Sequence, residues 1–155
     1  MTENILQLVW QHRLYSAPLV TNRGERIEVL NTGLLNRDAG PDFTNATIKV
    51  NDVSLTGNVE IHSRASDWFV HRHDKDDRYN NVILHVVEVD DKEVPQATYQ
   101  SALCMTEHAI KVAHELAVYP NGIKCYKYWS EKRDKLTEIL QNYIPELSED
   151  RLIRR

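Results

Sequence analysis

The strongest constraint on the fold is the apolar run Val82–Val89, which is rich in β-branched residues and is interrupted only by His85 and Glu88. Eight residues suit a strand, and such a run is typical of a strand with both faces covered. The run therefore predicts the central strand of a sheet. A histidine inside it needs a buried polar partner, which makes His85 a candidate site residue.

The remaining elements follow from shorter periodic patterns. Apolar residues at helical spacing predict a helix over Asn4–Tyr15, and alternation predicts strands over Arg26–Leu30, Ala46–Val50 and Val53–Ile61. Ser66 begins a short predicted helix reaching about His73, and Gly57 marks an expected bulge. Two further helices are predicted over Ala102–Ala117 and Tyr128–Tyr143. We expect an α/β (α+β) fold with an αβββαβ core and a mixed central sheet.

Length and composition limit the classes of protein. The 155 residues, 27% charged and 41% hydrophobic, suit one soluble globular domain. We expect residues 1–95 to form the α/β core and residues 96–155 a helical extension packed on it. No apolar run approaches the roughly 20 residues that span a bilayer. The N-terminus shows no secretory signal, so we expect a cytoplasmic protein without a membrane.

Charge and cysteine content exclude some kinds of site. The net charge of −4 and the pI near 6.0 argue against a broad basic surface for nucleic acid. Cys104 and Cys125 are far apart, so neither a zinc ribbon nor a disulfide framework is indicated.

One carboxylate and a later Glu-x-His predict a metal site. Asp42 ends a polar loop, and Glu60 and His62 follow on the second strand of the next hairpin. Because side chains alternate along a strand, Glu60 and His62 share a face and are expected to converge on Asp42. Such a set can hold Mg²⁺ or Mn²⁺ and position a water for hydrolysis. The alternatives are a turn residue at Asp42 and an exposed polar face on the strand.

A second group of polar residues lies just downstream. His71, His73 and Asp77 precede His85, and histidines are common ligands of Zn²⁺ and Fe²⁺. These residues are secondary ligand candidates. In the alternative, His71 and His73 end a solvated helix, Asp77 belongs to a charged loop, and His85 is a hydrogen-bonded core residue.

The order of elements and acidic residues resembles the PD-(D/E)XK nuclease superfamily. Pro41-Asp42 matches the first half of its signature, and Glu60 matches the acidic residue on the next strand. The resemblance implies a restriction-endonuclease-like core, and it implies that Asp42, Glu60 and His62 catalyse metal-dependent hydrolysis of nucleic acid. His62 stands where that superfamily has a lysine, so the resemblance also allows an inactive relative.

A closer resemblance is to an uncharacterised bacterial family, a domain of unknown function. It is carried by four motifs: Asn36-Arg37-Asp38-Ala39-Gly40-Pro41-Asp42-Phe43, Gly57-Asn58-Val59-Glu60-Ile61-His62, Ser66-Asp67-Trp68 and Asn81-Val82-Ile83-Leu84-His85-Val86-Val87. Members of that family are longer, so the resemblance implies that this chain corresponds to an N-terminal portion.

Three other functions stay open. The scaffold could bind nucleic acid or a protein without catalysis, or the histidine cluster could hold a transition metal. An amphipathic helix over Trp129–Tyr143 would favour an assembly role, with a homodimer formed through the C-terminal helices.

Overall fold

The computed structural model describes residues 2–16 and 18–118. In chain order, they form α1 (Glu3–Gln11), β1 (Leu19–Val20), β2 (Arg26–Asn31), β3 (Leu34–Leu35), β4 (Phe43–Val50), β5 (Val53–Arg64), α2 (Asp67–Val70), two 3-10 turns (His73–Lys75 and Asp77–Tyr79), β6 (Val82–Val89), β7 (Tyr99–Ala102) and α3 (Glu107–Val118). The fold is mixed α and β with a seven-stranded mixed sheet, which confirms the predicted fold class.

The sheet has the strand order β1-β2-β4-β5-β6-β7, and β3 pairs with β4. The β4–β5 hairpin is antiparallel, whereas β6 is parallel to both β5 and β7. A bridge between Thr21 and Ser101 joins the two ends of this order, and Asn22 N donates to Gln100 O at 2.9 Å. Strand β6 pairs with β5 on one side and with β7 on the other. Residues 82–87 are all buried, as the apolar run predicted.

Strand alternation separates two faces of the β5–β6 pair. Val59 and Ile61 contribute to the main hydrophobic core, with Leu84 and Val86 from β6. Glu60 pairs in register with His85, two positions before His62, so these three polar side chains share the opposite face. That face is covered by α2 and the two 3-10 turns, and a smaller apolar cluster lies there: Trp68, Tyr79, Val82, Val94 and Ala97.

Helix α1 covers the main core through the buried residues Ile5, Leu6, Val9 and Trp10. Spacings of three and four put these residues on one face of the helix. The helix ends earlier than the predicted Tyr15, because Arg13 adopts a left-handed conformation with φ of 53°.

The predicted bulge lies on the other strand of the hairpin. Phe43 pairs with Val59 and Ala46 pairs with Gly57, so β4 carries the extra residue, and Asn45 there has a φ of 56°. Gly57 serves a different purpose. A Cβ at Gly57 would lie 2.5 Å from Ile83 Cγ2 and 2.8 Å from Asn81 O. The missing side chain therefore allows the start of β6 to approach β5.

Residues 96–155 are described only in part. They include strand β7, which the sequence pattern did not indicate, and helix α3, which begins at Glu107 rather than Ala102. The predicted helix over Tyr128–Tyr143 and the proposed dimer contacts lie outside the described residues. The domain boundary at residue 95 stays a prediction.

Candidate metal centre

Asp42 and Glu60 are held against each other by backbone hydrogen bonds. Asp42 N donates to Glu60 Oε2 at 3.0 Å, and Ile61 N donates to Asp42 Oδ2 at 2.9 Å. From α1, Gln7 Nε2 donates to Asp42 Oδ1 at 2.7 Å. The antiparallel hairpin creates this contact, because Phe43 pairs with Val59 and the preceding Asp42 thus faces Glu60.

Both carboxyl groups lie in a low-dielectric environment. Glu60 is only 5% exposed, and burial raises its pKa to about 8. Burial, followed by the charge of Glu60, raises the pKa of Asp42 to about 7. A buried carboxylate pair of this kind favours a bound proton or a bound cation, since either one removes the repulsion and replaces lost solvation.

His62 is the centre of a histidine cluster. Its side chain is 1% exposed. Its Nδ1 lies 2.9 Å from His85 Nε2, and its Nε2 lies 3.1 Å from His71 Nδ1. His62 therefore has one ring nitrogen directed at the central strand β6. The other is directed at the covering segment, which consists of α2 and the two 3-10 turns that cover this face of the sheet.

The covering segment carries two of the histidines. His71 follows α2, His73 begins the first 3-10 turn, and Arg72 between them has a φ of 60°. This left-handed residue reverses the chain locally, and both imidazoles reach the same spot. His73 stacks on Tyr79 with ring centroids 3.8 Å apart. Its Nε2 lies 3.2 Å from Glu60 Oε1 but makes no hydrogen bond of ordinary geometry.

The distances between the donor atoms suit a single metal ion. One nitrogen each from His62, His71 and His73 lies within 4.8 Å of the other two. Glu60 Oε1 lies 3.5 Å from His62 Nε2 and 3.2 Å from His73 Nε2. Ligands about 2.0–2.1 Å from a tetrahedral ion are about 3.3 Å from one another. The separations of 3.1, 3.2 and 3.5 Å in the structure lie around that value.

Burial favours the neutral form of His62, His73 and His85, and neutral imidazole is the form that binds metal. Burial, followed by the charges of His85, His73 and His71, lowers the pKa of His62 to about 2. Burial also lowers the pKa of His85 to about 4, and it lowers the pKa of His73. Neutral imidazole leaves one ring nitrogen free for coordination, so no proton has to leave these rings before an ion binds.

The structure brings most of the predicted residues together. Asp42, Glu60 and His62 converge, His71 and His73 join them, and His85 contacts His62 from behind.

Asp77 does not take part. It is exposed, it starts the second 3-10 turn, and its Oδ1 accepts from Asn80 Nδ2 at 3.1 Å. Asp77 thus lies in a turn of the segment that the alternative interpretation described as a charged loop.

Two residues that contact the site or its supports were missed from the sequence. Gln7 reaches Asp42 from α1, and Gln100 on β7 pairs in register with His85. Both come from segments far away in sequence, and neither belongs to a recognisable motif. Only the helical pattern of α1 could have suggested that Gln7 borders its buried face.

Comparison with known proteins identifies the family. Within the described part of the chain, no helix has the length and apolar character needed to cross a membrane. Searches of the curated proteins and of the solved structures gave no match. A family model described as "Protein of unknown function (DUF2851)" matches residues 3–155. The chain therefore belongs to the DUF2851 family, a family of proteins of unknown function, as its motifs predicted.

Proposed function

We propose that the protein is a metal-dependent hydrolase of phosphodiester bonds, with a transition-metal ion held by His62, His71, His73 and Glu60. The observation that carries the proposal is the convergence of three imidazoles, with one nitrogen of each within 4.8 Å of the others, and the contact of the buried Glu60 carboxyl with two of them. Burial of Glu60 and His62 is costly without a ligand, which supports a binding role.

The donor set favours Mn²⁺, Fe²⁺ or Zn²⁺ over Mg²⁺. Imidazole nitrogen suits these transition metals, whereas Mg²⁺ takes oxygen ligands and keeps several waters. An ion with five or six ligands would keep positions for a water and a phosphate oxygen. His71 is exposed, which leaves a route from solvent to the centre.

In the proposed reaction, the metal would lower the pKa of a bound water and neutralise charge on the phosphate. Asp42 lies against Glu60 and would accept the proton of the attacking water. Gln7 and the backbone N–H of Ile61 hold the two Asp42 oxygens in place, and each oxygen keeps a lone pair for that proton.

The phosphodiester assignment has two supports. One is the resemblance of Pro41-Asp42 and Glu60 to the nuclease signature. The other is the Arg78 guanidinium, whose positive charge acts on the neighbouring His73 and adds to the larger effect of burial in lowering the pKa of that ring. Arg78 is paired with Asp76, so it can contact an anionic substrate from a fixed position.

The test is cleavage by the full chain, purified free of metal and then loaded with Mn²⁺, Fe²⁺ or Zn²⁺. Single-stranded DNA, duplex DNA and RNA are the substrates. We expect cleavage that requires metal and is lost in Glu60→Gln and His71→Ala. The exposed-site variants Glu28→Gln and His12→Ala are matched controls and should cleave like the wild type. Tight metal binding without cleavage of any substrate would overturn the hydrolase proposal.

A structural metal centre is a second candidate, and one observation favours it. Four protein donors are enough to fill a tetrahedral zinc site, and structural zinc sites are closed in this way. The centre would then attach the segment around His71 and His73 to β5. In that case the bound ion would stabilise the fold by several kcal/mol, and no substrate would be cleaved.

A further inference from the structure

Two aromatic side chains of the smaller apolar cluster contact the His73 ring. Tyr79 is 6% exposed and stacks on it, with centroids 3.8 Å apart and ring planes inclined by 22°. Trp68 is fully buried and meets the same ring edge to face, with centroids 5.5 Å apart and planes inclined by 81°. Trp68 and Tyr79 also contact each other, with centroids 5.7 Å apart. Each of the three rings is therefore in contact with the other two.

Stacking on Tyr79 is the closest ring contact that His73 makes within the described part of the chain. The rings of His62 and His71 lie farther away, with centroids 5.2 and 5.4 Å from that of His73. Hydrogen bonding does not fix Nε2 of this ring: the atom is buried and lies 3.2 Å from Glu60 Oε1, but it makes no hydrogen bond of ordinary geometry. The direction of His73 Nε2 therefore depends on how the flat faces of the imidazole pack.

The backbone around His73 leaves the direction of the ring open. His73 follows Arg72, whose φ is 60°, and begins a 3-10 turn of only three residues. An imidazole on such a short turn can rotate about two side-chain bonds. Tyr79 is anchored more firmly, because its backbone N–H donates to Asp76 O at 3.0 Å and its side chain is buried in the smaller apolar cluster. Tyr79 thus gives the imidazole a fixed flat surface on which to pack.

We infer that Tyr79 is a positioning residue, which holds the His73 imidazole with Nε2 directed at the metal site beside Glu60. The flat face of the Tyr79 ring has this role, and the hydroxyl group is not required. Aromatic rings favour offset stacking and edge-to-face contact, and His73 receives the first from Tyr79 and the second from Trp68. A ligand whose orientation is already fixed loses less rotational freedom when an ion binds, so the affinity for the ion rises. The inference rests on the proposed metal site, because His73 acts there as a ligand.

Metal affinity measures this role. The full chain, purified free of metal, is titrated with Co²⁺ against a competing chelator. We expect Tyr79→Leu, which stays apolar but has no flat face, to lose at least about 10-fold in affinity, the lower end of what partners that orient metal-binding histidines contribute. Tyr79→Phe keeps the ring and should bind within a few-fold of wild type. Val94→Ala is the matched control and should bind like wild type, because Val94 is buried in the same cluster but contributes no ring to the stack.

A second substitution separates positioning from general support of the fold. If Tyr79 acts through His73, Tyr79→Leu has no imidazole left to misplace in a His73→Ala background. In that background we expect Tyr79→Leu to change the Co²⁺ affinity by less than about twofold, so that the two substitutions are strongly non-additive. A tenfold loss that persists without His73 would overturn the inference, because Tyr79 would then support the fold of the whole segment. Co²⁺ binding by Tyr79→Leu as tight as wild type would overturn it as well.

A measurement on the metal-free wild type does not depend on how the variants fold. Nuclear Overhauser effects between ring protons report the stack directly, and the His73 signals are assigned by their loss in His73→Ala. We expect strong effects between the ring protons of His73 and Tyr79, and assigned spectra without them would overturn the inference. A wild type that binds no Co²⁺ would instead overturn the proposed metal centre, while Co²⁺ binding without cleavage of any substrate would overturn the hydrolase proposal and leave the role of Tyr79 intact.

Discussion

Replacing Glu60 with glutamine should make the metal-free protein more stable while abolishing metal binding. Glu60 is 5% exposed, and its pKa rises from 4.5 to about 8 on folding, chiefly through burial. When folding raises the pKa of a carboxyl group, the group does not lower the free energy of unfolding at pH values below its unfolded-state pKa. The cost grows as pH rises and is complete once pH passes the folded-state value.

The expected size of the effect follows from that shift. Each pKa unit corresponds to about 1.4 kcal/mol. At pH 7, folding suppresses the ionisation of Glu60 over roughly 2.5 pH units above its unfolded-state pKa, and this lowers the free energy of unfolding by about 3 kcal/mol. At pH 5 the free energy of unfolding is lowered by under about 1 kcal/mol. Glutamine has no charge, and its Oε1 can still accept from the Asp42 N–H. We therefore expect Glu60→Gln to gain up to about 3 kcal/mol at pH 7 and little at pH 5.

Urea unfolding of the metal-free proteins, followed by tryptophan fluorescence at pH 5, 7 and 9, measures this gain. Glu28→Gln is the matched control, because Glu28 is exposed on β2, and it should show no pH-dependent gain. A Glu60→Gln variant that is less stable than wild type at every pH, or whose advantage does not grow with pH, would refute the assignment of Glu60 as a destabilised functional carboxyl.

Three further outcomes are expected. Gly57→Ala should cost at least about 2 kcal/mol in unfolding free energy, because the added Cβ meets Ile83 Cγ2 at 2.5 Å and backbone oxygen at 2.8 Å; a variant as stable as wild type would contradict this packing. Metal at about 100 times its Kd should raise the unfolding free energy of wild type by about 2.7 kcal/mol, and this gain should vanish in His71→Ala but persist in His12→Ala. Metal affinity should fall about tenfold per pH unit below pH 8, because Glu60 with its pKa of about 8 is the competing proton site; calorimetry showing a plateau already at pH 6.5 would point to the histidines instead.

Local patterns were enough to predict the central strand and the meeting of the acidic residues. The apolar run Val82–Val89 gave the exact bounds of β6, because a doubly covered strand is apolar at almost every position. The hairpin turn at Asn51-Asp52 set the pairing of β4 with β5, and the extra residue in β4 shifts that pairing by one position so that Asp42 lies opposite Glu60. Alternation along β5 then put His62 on the same face as Glu60.

Features that depend on contacts between distant segments could not be predicted. Strands β1 and β3 have two residues each, which is too short for any periodicity. Strand β7 reads as a polar segment, and only its pairing with β6 makes it a strand. A bulge was expected at Gly57 because glycine often marks bulges, and the register does shift beside it, with the extra residues on β4 and β6. Gly57 itself leaves room for Ile83 on β6.

The sequence predicted the candidate ligands of the site, but it did not predict the residues that hold those ligands in place. His71 and His73 were recognisable as a His-x-His pair, yet the left-handed Arg72 that turns both rings inward has no sequence signal. Gln7 reaches Asp42 through one hydrogen bond, and Gln100 lies beside His85 through the pairing of β6 with β7, so no spacing rule could find either residue.

A crystal structure of the full chain grown with Zn²⁺, with anomalous diffraction recorded at the zinc edge, tests the metal centre most directly. The proposal predicts one ion about 2.0–2.2 Å from His62 Nε2, His71 Nδ1, His73 Nε2 and Glu60 Oε1. An anomalous map without a peak among these four atoms, from protein shown to be folded and saturated with Zn²⁺, would contradict it.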